Sequence, residues 1–237
     1  MKAAHDTQVI SANVTGRILS FVGERRLEPG DRLPSERELA ERFGVSRAAL
    51  RESLATLEAM RVIERRPNSG IYLARRDAPP SFESLVLRSD LGLPVDASTI
   101  MQSMEVRNVL ELHAIELACA RRTDEDIGQL GEILEQTRRL LDTRQSIIDL
   151  DESFHLAIVA ATHNNVFAQI VHAFYRLSRL RREIYFSDLK RCQRSYREHR
   201  AILHAIQARD AGRGAQLMRR HIHEGFWRSA LKVSQPA

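Results

Sequence analysis

The sequence predicts a mainly α protein, with an N-terminal winged helix-turn-helix and a C-terminal all-α bundle of six or seven helices. Three observations predict it. Two short helical patterns, Glu36–Phe43 and Arg47–Met60, are joined by the tight turn Gly44-Val45-Ser46. Two strand-like runs, Val62–Arg66 and Ile71–Leu73, flank the turn residues Pro67-Asn68-Ser69-Gly70. From about Asp96 onward strand patterns are almost absent, glycine is sparse, and proline does not recur before Pro236.

Each element has a local cause. Val9, Val14, Ile18, Leu19 and Val22 line one face of a first helix from about Gln8 to Arg26, which Glu28-Pro29-Gly30-Asp31 breaks. Ser35 and Glu38 form a capping box for the second helix. Gly44 suits a left-handed helix end, and Ser46 suits the N-cap of the third helix, whose inner side carries Leu50, Leu54 and Leu57. Arg76-Asp77-Ala78-Pro79-Pro80 is the strongest domain boundary, because consecutive prolines stiffen the chain. This divides the chain into a winged domain over 1–76, a linker with a short helix (Ser81–Arg88) over 77–95, and a bundle over 96–233. The bundle helices are expected at Ala97–Arg121, Asp124–Thr143, Gln145–Thr162, Val166–Asp188, Cys192–Ala208 and Ala211–Val233. Asp124, after Thr123, and Asp210 suit helix starts.

Composition narrows the function classes. The formal net charge is +5, and only Lys2, Lys190 and Lys232 are lysines, so the positive charge is nearly all arginine. Residues 1–76 hold 14 basic and 10 acidic side chains, or +4, and the remainder holds 22 and 21, or +1. A basic excess on a small segment suits phosphate contacts. No apolar run approaches 18 residues and the N-terminus lacks a signal-like core, so no membrane partner is expected and a cytoplasmic location is. The 2 cysteines make no disulfide framework.

Pro29-Gly30, Leu33-Pro34-Ser35-Glu36-Arg37-Glu38-Leu39-Ala40, Phe43-Gly44-Val45-Ser46-Arg47, Leu50-Arg51-Glu52 and Ser69-Gly70 together resemble the signature of the GntR superfamily of bacterial transcription regulators. The resemblance spans about Arg17–Arg75. It implies binding of double-stranded DNA, with Arg37 as a contacting arginine. The spacing agrees on physical grounds. Arg47 and Arg51 are i,i+4 on the face opposite the leucines, at the helix start that enters the major groove. Guanidinium groups pair with guanine or with phosphate. Ala48 and Ala49 stand where family members often carry hydroxyls, and they offer methyl contacts to thymine. Gly70 lets the wing backbone approach the minor groove, with Arg65, Arg66 and Asn68 nearby. The plain alternative is a solvated face laced with ion pairs, which for Arg65 and Arg66 amounts to edge-strand protection.

In the bundle, Asp151 and His155 share one helix face beside Ile147, Ile148, Leu150 and Phe154. His199 lies beside Ile202, Leu203 and Ile206, and His221 beside Leu217, Met218 and Ile222. One carboxylate and three imidazoles suit a divalent metal: Zn²⁺ or Ni²⁺, with Mn²⁺ and Fe²⁺ as alternatives. His163, His172, His204 and His223 do not fit the set; Cys119 reads as core, and Phe226 and Trp227 as packing residues.

Glu105-Val106-Arg107, Asp151 with His155, Glu198-His199-Arg200-Ala201-Ile202 and Arg219-Arg220-His221 resemble the FCD domain, the effector domain of the FadR branch of GntR regulators. The resemblance implies a metal on Asp151, His155, His199 and His221 and a small carboxylate effector that reaches it. It also implies an effector role for Arg107, whose alternative is a salt bridge to Glu111. The expectation is a homodimeric regulator, not an enzyme, in which two wings read a palindromic operator and repression responds to the acid. The rivals are a metal-dependent hydrolytic enzyme and a bundle with a purely structural metal.

Overall fold

The structure is a computed structural model that describes residues 14–75, 81–90 and 97–223. The chain divides into two compact units, Met1–Pro94 and Val95–Ala237.

The first unit holds α1 (residues 14–24), α2 (Glu36–Phe43), α3 (Arg47–Ala59), β1 (Ile63–Arg66), β2 (Gly70–Leu73) and α4 (Phe82–Asp90). The expected first-helix residues before 14 lie outside the described part. Ile18, Leu39, Leu50, Leu54 and Leu57 are fully buried and form the centre of its core. The α2–α3 turn has the capping chemistry its residues dictate. Ser35 caps α2 in a reciprocal box with Glu38, Gly44 closes α2 at φ 60°, and Ser46 accepts the Ala49 amide at 3.2 Å.

β1 and β2 pair antiparallel, with Ile63 opposite Leu73 and Arg66 opposite Gly70. The segment before α2 joins this wing, since Leu33 donates to the Ile71 carbonyl at 2.8 Å and Leu73 to that of Asp31 at 2.8 Å. In α4, Leu87 packs against the same core.

The second unit is helical throughout its described residues: α5 (Ala97–Arg121), α6 (Asp124–Asp142), α7 (Ile148–Ala160), α8 (Asn165–Leu177), α9 (Arg179–Phe186), α10 (Leu189–Gln207) and α11 (Ala211–His223). The core is built around Ile115, Leu130, Phe154, Ile158, Tyr175 and Ile202.

The helix expected over Val166–Asp188 is two helices. The Ser178 hydroxyl donates to the Tyr175 carbonyl at 3.0 Å and so competes with the helical ladder. Arg182 then ties α9 to α7 through the Ile148 carbonyl at 3.0 Å and through Glu152. α7 starts at Ile148 rather than Gln145, because Arg144 turns left-handed at φ 57° to close α6. α10 starts at Leu189, where Asp188 caps the Lys190 amide at 2.9 Å. The rest of the expected last helix, with Phe226 and Trp227, lies outside the described residues, as do 76–80 and 91–96.

One glycine decides how closely two site helices approach. A Cβ on Gly214 would lie 2.7 Å from Ile115 Cγ2, inside any real contact. Gly214 therefore lets α11 lie tight against α5, and His221, two turns on along the same side, follows it inward.

Candidate metal centre and nucleic-acid interface

The winged unit offers its candidate residues to solvent. Arg47 is exposed in the first turn of α3, with Ala48 exposed and Ala49 half-buried beside it. Arg37 lies 3.8 Å from Glu41 and Arg51 lies 2.7 Å from Glu36, which raises the Arg51 pKa. Arg65 faces Glu58 at 3.4 Å, and Arg66 pairs with Glu64 while its guanidinium covers the Tyr72 ring at 4.0 Å.

Arg47 alone of these arginines has no carboxylate partner among the described residues. It also sits at the positive end of a helix dipole with no acid in the first turn, where an incoming anion is favoured. Asn68 (φ 57°) and Gly70 (φ 128°) shape the wing tip. Arg32 was not singled out in the sequence. It bridges to Tyr72, and its Nε would lie 3.0 Å from a Cβ on Gly70, which puts another guanidinium at the wing.

The bundle buries its candidates. Asp151 and His155 come from α7, His199 from α10 and His221 from α11; their ligand atoms all lie within 4.8 Å of one another. The His221 Nε2 is 3.2 Å from that of His155 and 3.1 Å from that of His199. Asp151 Oδ1 lies 3.5 Å from His199 Nε2 and 4.0 Å from His155 Nε2. Ser195 donates to that same oxygen at 3.1 Å and so holds the carboxylate.

The outer ring atoms explain why the nitrogens converge. His155 Nδ1 donates to Glu111 and His221 Nδ1 donates to Glu198, each at 2.8 Å. Each ring proton is thus placed on Nδ1, and the Nε2 lone pair faces the shared centre. Phe154 stacks on His199 with ring centroids 4.2 Å apart, which fixes the third ring. Lone pairs crowded this closely repel one another unless a cation lies between them. Separations of about 3.0–3.4 Å are those of nitrogens held roughly 2.1 Å from one ion. The residues present fit a divalent metal.

The electrostatics agree. Burial and the neighbouring His221 and His155 push the His199 pKa well down, and burial lowers that of His155 against the pull of Glu111. Neutral imidazole is the form that ligates metal. Burial opposes the Glu111 charge, but His155 and Arg107 override it and hold the carboxyl below its usual range.

Arg107 donates to Glu111 at 3.0 Å and to the Tyr175 hydroxyl at 2.7 Å, and Tyr175 in turn donates to Glu111. The salt bridge named as the alternative for Arg107 is present, and through Glu111 it joins the outer ring of the metal-ligand set. Glu111 and Glu198 as imidazole holders, and Tyr175 and Ser195, escaped the sequence reading. Ser195 had a signal, since it lies one turn before His199. Tyr175 had none, because its partners are far away in sequence.

His163, His172 and His204 lie apart from the set. His163 faces Asp126 at 3.0 Å, and His172 and His204 are exposed. Cys119 and Cys192 are buried free thiols.

A winged helix-turn-helix followed by a helical bundle is the make-up of a DNA-binding transcription regulator. Residues 10–73 match the bacterial regulatory proteins of the gntR family, and residues 102–224 match the FCD domain. The chain belongs to the GntR family of transcription regulators that carry an FCD domain, and this is not a family of enzymes.

The HTH-type transcriptional regulator LutR of Bacillus subtilis is 32% identical over 195 residues, 80% of this chain and 86% of that protein. The galactonate operon transcriptional repressor of Escherichia coli is 29% identical over 212 residues, 87% and 93% of the two chains. Lar, which controls expression of the Listeria monocytogenes agr system, has a solved structure that overlays with a TM-score of 0.68 at 20% identity, covering 94% of this chain and 97% of that one. No helix among the described residues is long and apolar enough to cross a membrane.

Proposed function

We propose that this regulator is a homodimeric repressor of the FadR branch, whose hold on a palindromic operator is set by a small organic acid at a metal site in the bundle. The observation that carries the proposal is the convergence of three Nε2 lone pairs and one carboxylate oxygen, with two of the imidazoles oriented by buried or half-buried carboxylates.

In this reading residues 1–76 bind DNA, 77–95 connect, and 96–233 bind metal and effector. Arg47 reads a base edge. Arg37, Arg51, Arg65 and Arg66 contact phosphate after exchanging their carboxylate partners, and Ala48, Ala49, Asn68 and Gly70 complete the surface. The donor set of one oxygen and three nitrogens favours Zn²⁺ or Ni²⁺, with Mn²⁺ or Fe²⁺ next. When bound, the ion supplies a Lewis-acidic centre for an anionic oxygen. Arg107 and Tyr175 orient the acid beside it, and the buried walls exclude water. The galactonate operon named for one relative supports a sugar acid or hydroxy acid as the effector class. Coupling follows if the acid binds one bundle conformation better than another.

The test is operator binding by the metal-loaded full chain while sugar acids and hydroxy acids are titrated. One of them is expected to weaken operator affinity, and the effect is expected to vanish after chelation. An acid response that survives complete chelation, with only the melting temperature lowered, would make the metal structural. Turnover of the acid would favour the hydrolytic alternative.

A further inference from the structure

The wing has an outer face. Ile63, Ile71 and Leu73 are buried in the core, so the alternate positions Glu64, Arg66, Gly70 and Tyr72 share the opposite side. Arg32, from the segment before α2, pairs with Tyr72 and adds a third row to that side. The Leu33 and Leu73 amides bond across the pair's two flanks, so Arg32 and Tyr72 face each other without bonds of their own. Side chains at such a pair lie close together.

From there the Arg32 side chain runs diagonally to Gly70. A Cβ on Gly70 would lie 3.0 Å from Arg32 Nε, 3.3 Å from Nη2 and 3.5 Å from Cζ, so the guanidinium lies across the space a side chain would fill. Beside it the Tyr72 hydroxyl meets that of Ser69 in the turn at 2.7 Å. Arg66 covers the Tyr72 ring at 4.0 Å and is paired with Glu64. Arg32 is exposed and has no carboxylate partner among the described residues. Glu38, whose pKa is lowered by its bonds to Ser35 first and by Arg37 and Arg32 after them, stays in the α2 cap.

A guanidinium near the tip of a hairpin, with no side chain beneath it and no acid beside it, suits a narrow negative trough. The minor groove over A·T pairs is such a trough. It is about 6 Å wide or less, its floor shows only acceptors, and guanine alone puts an amino donor there. Seated on a glycine, the guanidinium adds one atomic layer to the wing, which such a groove admits.

We propose that Arg32 is the wing's minor-groove arginine, seated on Gly70 so that it reads A·T pairs beside the site that α3 contacts. This rests on the reading that the wing meets the minor groove, and it assigns the residue that makes the contact selective.

Operator binding by the full chain, with hydroxyl-radical protection, tests it. The pairs under the wing are set to A·T, to G·C, or to inosine·cytosine, which lacks the guanine amino group in the minor groove. The wild-type chain is expected to bind the G·C operator about tenfold more weakly than the A·T one, and inosine·cytosine as well as A·T. Arg32→Ala is expected to bind all three equally, with its melting temperature unmoved because the side chain is exposed. An Arg32→Ala chain that binds every operator more weakly by one factor, and keeps the A·T preference, overturns the proposal and leaves Arg32 a phosphate contact. A wild-type chain that protects the groove but shows no preference overturns it too. Absence of minor-groove protection beside the α3 site overturns the wing reading along with it.

Discussion

The two units of this regulator handle charge in opposite ways. In the winged unit the candidate arginines are exposed or half-buried, and four of the five sit within 3.8 Å of a carboxylate. Ion pairs at such a surface are worth little and exchange readily for phosphate. In the bundle the charged groups at the candidate site are buried. Arg107, Glu111 and Asp151 lie inside with His155 and His199, each satisfied by a partner from another helix or from the next turn. Losing one buried partner leaves another group uncompensated. Substitutions in the wing should thus change binding and spare the fold, whereas substitutions in the bundle should change both.

Four substitutions break or sharpen this contrast, taken from the largest expected effect. His199→Ala should take metal content from one ion per chain to none, read by elemental analysis, while operator binding by the metal-free chain persists. Unchanged stoichiometry would dissolve the site. Arg107→Ala leaves the Glu111 carboxylate buried without its guanidinium. It should cost about 3–5 kcal/mol of bundle stability in denaturant unfolding and weaken acid binding while metal is retained. Equal acid affinity would confine Arg107 to its structural salt bridge.

Glu111→Gln removes the carboxylate that holds His155, so metal affinity measured by chelator competition should fall about 10–100-fold. No change would mean that packing alone orients the ring. Arg47→Ala should cost about 1–3 kcal/mol of specific operator affinity. Its melting temperature should barely move, because the side chain is exposed and has no acid partner in the described structure. A large loss of stability there would remove the contrast between the units.

The wing was legible because its determinants are local. Ser35 with Glu38, Gly44, and Ser46 with Ala49 act within four residues, so reading the chain in order recovers the caps, the turn and the face on which Arg47 lies. The candidate metal-ligand residues were legible for a different reason. Asp151 and His155 share a helix face by spacing, but adding His199 and His221 to them took chemical type and family resemblance. The break at Ser178 was missed because a helical pattern runs straight through it, and the Ser178 hydroxyl decides the outcome by taking the Tyr175 carbonyl.

The sequence by itself determined the two-part architecture, the helix caps of the winged unit, the basic first third and the choice of four candidate ligand residues. Hydrophobic period, capping and charge are carried by neighbouring residues, so these features do not depend on how the chain closes. Tertiary structure alone decided which ring nitrogens face inward, through Glu111 on α5 and Glu198 on α10, and how closely α11 approaches α5 at Gly214. These are relations between side chains far apart in sequence, and they are fixed only when packing brings their helices within a few ångströms of each other.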